Sequence, residues 1–199
     1  MNIEYRKMPV EYRAEEGKRI IEGHAAVFDA PAEIYGFTEV IRKGAFLDSI
    51  GRDDVRCLLN HDANYVLGRT KSGTLKLSED KIGLKIENDP PNTQWANDLI
   101  ISMERGDIDQ MSFGFTVENE KWSTKDGKEI REILKANLFD VSPVTYPAYK
   151  ETDVQVALRN APQEVREKIL PSKESQVTSD DDKNKELKQG LKLKKLKLI

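Results

Sequence analysis

A single cysteine and two histidines stand in a chain of 199 residues. Cys57 alone excludes an internal disulfide framework and any multi-cysteine zinc site. His24 and His61, with only scattered carboxylates around them, match no metal-ligand spacing, and no HExxH pair is present. There is no GxGxxG or GxxxxGK run, so nucleotide binding has no support. No apolar stretch approaches the roughly 20 residues that cross a bilayer. The first 20 residues lack an apolar run followed by small residues, so no signal peptide is expected. A net charge of -3 draws the chain toward neither nucleic acid nor an anionic membrane. The expectation is a soluble protein kept in a reducing compartment.

What is present suffices for one domain with an appendage: 38% of residues are hydrophobic and 34% charged, a core with a highly charged surface. The division expected is a domain over 1–160 and a charged, disordered tail over 161–199. The first half reads as strands. "IEYRKMPVEYRA" and "KRIIEGHAAVF" flank Glu15-Glu16-Gly17, a hairpin connection. "VIRKGAFLDSI" reads as a short helical link, and "DVRCLLNHD", "VLGRT", "GTLKLSED" and "GLKIEND" as further strands. Ser72-Gly73 and Lys81-Ile82-Gly83 supply turns, and Leu75, Leu77, Leu84 and Ile86 point inward.

One helix is well marked. It follows Pro90-Pro91, with Asn92 or Thr93 as cap and Trp95, Leu99, Ile100 and Met103 along one side, and Gly106 closes it. A hairpin about Asp126-Gly127 and a long strand ending near Pro143 or Pro147 follow. Short strands with few helices predict an α+β, mainly β chain, a small barrel or sandwich with helices outside. "PQEVREKIL" predicts a short helix from Pro162. "PSKESQVTSDDDKNKE" reads as linker, and the basic "LKQGLKLKKLKLI" as a solvated tail or an arm for an acidic partner.

"DQMSFGFTVEN" (109–119) carries the chemistry. In a strand, Met111, Phe113, Phe115 and Val117 share the core face, while Ser112, Gly114 and Thr116 share the other. A serine hydroxyl needs a base, and the base needs an orienting partner. His61, at the end of an apolar strand, is the candidate base; a surface histidine at a turn is the plain alternative. Cys57 lies four residues upstream, roughly 13 Å away in a strand at about 3.3 Å per residue. It therefore reads as a buried small hydrophobe. Asp140, a carboxylate in an otherwise apolar strand between Phe139 and Val141, both read as buried, is the best orienter, with His24 the other possibility. Asp62 is set aside because adjacent side chains in an extended chain point apart.

Together "LLNHD", "LGRTKSGTLKL", "GLKIE", "PNTQWANDLIISMERGDIDQMSFGF" and "ILKANLFDVSPVTYPAY" resemble the prohead maturation proteases of tailed bacteriophages. "EVIRKGAFLDSI" resembles that family's segment ahead of the histidine, and the likeness runs from about residue 22 to 152. It implies a serine endopeptidase related to the herpesvirus capsid-assembly proteases, an antiparallel barrel wrapped by helices. Carried over, His61 and Ser112 are base and nucleophile, and Asp140 stands where the herpesvirus relatives use a second histidine. The implied role is cleavage of the scaffold region, the major capsid protein and the enzyme itself, inside the procapsid in the host cytoplasm. No cofactor, membrane or specific nucleic acid is implied. The relatives dimerise, so a homo-oligomer is an expectation as well. The rival from another class is an inactive scaffold or assembly factor that keeps the fold.

Overall fold

A computed structural model describes residues 3–8, 13–14, 20–34, 36–146, 157–158 and 161–169. Strands β1 (Glu4–Met8), β2 (Arg13–Ala14), β3 (Ile21–Val27), β4 (Ala32–Ile34) and β5 (Phe37–Ile41) lead to helix α1 (Leu47–Arg52). Four more strands follow: β6 (Arg56–Leu59), β7 (Asp62–Arg69), β8 (Leu75–Glu79) and β9 (Gly83–Asn88). Helix α2 (Gln94–Glu104) precedes the two longest strands, β10 (Gln110–Lys125) and β11 (Lys128–Val144). The chain divides into two compact units, Met1–Arg159 and Asn160–Ile199. Described in the second is α3 (Gln163–Ile169), whose first turn is closed by the Pro162 carbonyl accepting from Val165 and Arg166 N–H. The expected tail lies outside the described residues from residue 170 onward.

The first unit is mainly β, in two sheets. One runs β1-β10-β11-β5-β4, with β6 and then β7 attached to the far half of β11; the other runs β2-β3-β9-β8. Among the described strands the hydrogen-bonded path does not close into a ring. Both sheets feed one core. Ile21, Leu75, Leu84 and Ile86 from the smaller sheet meet Ile41, Leu67, Met111, Phe113, Phe115 and Ile133 from the larger, with Phe46 between. Each such side chain contributes about 1.5–3 kcal/mol when fully buried.

Local chemistry accounts for the punctuation. Asp126 and Gly127 both adopt positive φ, at 52° and 76°, the two-residue turn that matches the twist of the β10–β11 hairpin. At the end of α2, Gly106 takes φ +79° and its N–H reaches Met103 O, while Asp107 N–H reaches Ser102 O. These two bonds are the pair expected when a left-handed glycine closes a helix. Thr93 stands at the start of α2 but its side chain makes no capping bond.

Two expectations need correction. The opening segment joins the next only through its end: β2 pairs antiparallel with β3, whereas β1 pairs with β10. Phe139 is half-buried, so Asp140 is not flanked by buried residues on both sides. The reason for the first is non-local. β1 carries Glu4 and Arg6, whose partners Glu39 and Arg131 lie on β5 and β11.

Candidate active site

β10 lies between β1 and β11, and the register sets what stands beside Ser112. Across one ladder it faces Lys7, and across the other Ser142. One pleat further on, Gly114 faces Tyr5 on one side and Asp140 on the other. Met111, Phe113 and Phe115 are buried, and so is Ser112, which has no exposed surface. The second face of this strand is thus as enclosed as the first.

His61 arrives from the other side of β11. β6 runs parallel to β11 there, with Asp140 opposite Arg56 and Val141 opposite Cys57. Beyond Leu59 the chain reverses in two residues, Asn60 and His61, at φ 53° and 59°. Both lie in the left-handed region, where asparagine and histidine are among the more tolerated residues. The turn is pinned to the end of β11. Asn60 N–H donates to Pro143 O at 2.9 Å, Thr145 N–H donates to Asn60 Oδ1 at 2.8 Å, and Asn60 Nδ2 donates to Thr145 Oγ1 at 3.2 Å.

So held, the imidazole of His61 bridges two strands. Its Nδ1 is 2.5 Å from Asp140 Oδ2 and its Nε2 is 2.7 Å from Ser112 Oγ. An ionised carboxylate only accepts, so Nδ1 carries the proton and Nε2 is left to accept from the serine hydroxyl. The Tyr5 ring packs against the imidazole with centroids 4.4 Å apart. Ser112 Oγ also lies 3.0 Å from the Arg6 carbonyl, so two acceptors compete for one hydroxyl proton. Asp140 is nearly buried and receives a second donor, the Ser142 hydroxyl, at 2.5 Å.

Glycine at 114 has a spatial cause. A Cβ there would overlap Asp140 Oδ1 and come within 2.9 Å of Tyr5 Cε1. The space belongs to the carboxylate and the Tyr5 ring.

A protein-family comparison matches residues 6–166 to the caudovirus prohead serine proteases. The chain belongs to that family. It is 28% identical over 144 residues to the prohead protease of Enterobacteria phage HK97, a match covering 70% of this chain. The chain spans 60% of the length of that curated relative. No solved structure matches it.

Within this family frame, the remaining candidates separate cleanly. His24 sits on β3 and its Nε2 bonds Asp80 Oδ2 at 2.8 Å, away from Ser112. Asp80 is also held by Gly83 N–H, and together the Gly83 amide and His24 pull its carboxyl down to about 2. Asp62 turns to its own loop, accepting from Asn64 N–H at 2.8 Å. Cys57 is fully buried, and burial with the Asp140 charge nearby pushes its thiol well above the ordinary range, the opposite of an activated nucleophile. Among the described residues no group of three or more His, Cys, Asp or Glu stands together to hold a metal ion, and no helix is long and apolar enough to cross a membrane.

Sequence reasoning missed the buried ions that fasten β1. Arg6 bonds Glu39 at 2.6 Å and Glu4 at 2.6 Å; Arg131 bonds Glu4 at 2.7 Å, Glu39 at 2.9 Å and Glu120 at 2.6 Å. Arg131 is 1% exposed, and its guanidinium lies over the Trp122 ring at 5.8 Å. Alternating charged residues in "KEIREIL" look like a solvated face. Only partners from β1, β5 and β10 turn that face inward. It also missed Asn60 and Ser142, for which the one available signal was adjacency to His61 and Asp140.

Proposed function

We propose that the chain is a serine endopeptidase working by acyl transfer, with Ser112 as nucleophile, His61 as general base and then acid, and Asp140 as orienter. The observation that carries this reading is the unbroken chain Ser112 Oγ–His61 Nε2, His61 Nδ1–Asp140 Oδ2, at 2.7 and 2.5 Å. In the first step His61 takes the hydroxyl proton as Ser112 Oγ attacks the peptide carbonyl. Asp140 stabilises the imidazolium and keeps its tautomer. His61 then protonates the leaving amine, and water repeats the sequence on the acyl-enzyme. The acyl transfer uses protein groups alone. For the attack, the Ser112 proton must turn from the Arg6 carbonyl to the imidazole.

Family membership supports the biological assignment: cleavage of the scaffold region, of major capsid protein extensions and of the enzyme's own segment after Ala157, inside the procapsid in the host cytoplasm. The catalytic unit is 1–160, with 161–199 as the segment removed. A barrel wrapped by helices, as in the herpesvirus assembly proteases, is part of the same reading, and the single core shared by two sheets supports it.

The test follows the mass of purified full-length chain over time for wild type and Ser112→Ala. Wild type shortens itself; the alanine variant stays intact, since loss of a triad serine removes on the order of 10⁶ in turnover. Equal clipping of both would assign the cuts to a host protease and end the proposal.

A further inference from the structure

We infer that Ser142 is a positioning residue of this site, acting through Asp140. The inference rests on the proposed acyl-transfer reading and deepens it. Ser142 is two residues beyond Asp140 in β11, so the two side chains project from the same face of the strand. Its hydroxyl lies 2.5 Å from Asp140 Oδ2, the same oxygen that His61 Nδ1 approaches at 2.5 Å. The carboxylate only accepts, so Ser142 donates. Ser142 is wholly buried and stands directly across the ladder from Ser112.

A carboxyl group turns easily about its last torsion, whose distribution is broad and roughly two-fold. Here both oxygens are constrained. Oδ1 occupies the place that a Cβ on Gly114 would take, and Oδ2 is held by Ser142. The plane of the carboxylate is therefore set before the imidazole arrives, and the His61 ring inherits its orientation from it. Without the Ser142 hydroxyl, Oδ2 loses one of two donors and the carboxylate can swing off the Nδ1–H axis. A hydroxyl present only to satisfy a buried charge would affect folding stability but would leave the His61 proton and the reactivity of Ser112 alone.

The experiment uses the full chain and a fluorophosphonate probe, which reads Ser112 reactivity without a known substrate. It also follows the downfield Nδ1–H resonance of His61 by proton NMR; with two histidines in the chain, His24→Ala assigns it. Ser142→Ala is expected to slow labelling about 10- to 100-fold, the worth of one hydrogen bond to a charged group. It is also expected to shift or broaden the His61 resonance, and Ser142→Thr to restore both. Labelling at the wild-type rate with an unmoved resonance would overturn the inference and leave the proposed function standing. Labelling of wild type no faster than Ser112→Ala would instead overturn the proposed function, while the resonance still judges Ser142. Should Ser142→Ala fail to fold by circular dichroism, Ser142→Cys, a weak donor of similar size, takes its place. An intermediate rate then supports the inference, and a wild-type rate overturns it.

Discussion

Gly114 and Asp140 face each other across the β10–β11 ladder, and the Asp140 carboxylate fills the space that a side chain on Gly114 would need. Substitution by alanine cannot be absorbed on one side alone, because the Tyr5 ring closes the other. Gly114→Ala is therefore expected to displace the carboxylate or the ring. Overpacking of this kind costs about 1–3 kcal/mol. A urea midpoint lowered to that extent, with Ser112 labelling reduced by more than about 100-fold, is the expected pair of results. A variant with wild-type stability and reactivity would mean that β1 yields more easily than its buried ion pairs suggest.

The two candidates for orienter part in a single assay. Asp140→Asn keeps the shape but offers an amide to Nδ1, which favours the wrong imidazole tautomer; self-cleavage should fall by about 10⁴-fold. His24→Ala should leave cleavage unchanged, since its ring bonds Asp80. The reverse ordering would move the orienting role to His24.

The turn bearing His61 depends on Asn60 twice, through its left-handed backbone and through its side-chain bonds to Thr145. Asn60→Gly keeps the first and loses the second, whereas Asn60→Ala loses both. Thermal unfolding should rank wild type above Gly above Ala, with the last two separated by about 1–2 kcal/mol. Both variants should react more slowly at Ser112, because the turn loses its two side-chain tethers to Thr145 and keeps only the backbone bond to Pro143 O. An alanine variant more stable than the glycine one would contradict the assigned turn.

Glu39 gives the fold a pH dependence of known sign. Burial opposes its charge, but Arg6, by charge and hydrogen bond, and then Arg131 hold the carboxyl below the ordinary glutamate range. Its folded value is thus below the unfolded one of about 4.3. The stability it contributes is present above that pH and lost as pH falls through the folded value. Glu39→Gln should lower stability by roughly 3 kcal/mol at neutral pH, as breaking a buried pair does. It should also flatten the loss of stability below about pH 4. Urea midpoints from pH 7 to pH 3 measure both, and a parallel drop in the two proteins would rule Glu39 out as the source.

What the sequence determined by itself was local. The alternation that buries Met111, Phe113 and Phe115, the left-handed Asp126-Gly127 turn, the glycine closing α2 and the inertness of Cys57 follow from side-chain periodicity and backbone sterics over a few residues. Those forces act within the segment that carries them. The tertiary structure decided the rest. It made β1 a neighbour of β10, turned the charges of Glu4, Arg6, Glu39 and Arg131 inward, and brought Ser112, His61 and Asp140 within hydrogen-bonding reach, the first two from 51 positions apart. Strand pairing joins segments whose own patterns suit several partners. The choice among them is made by the core that two sheets can bury together and by charges that can enter it only when all their partners arrive.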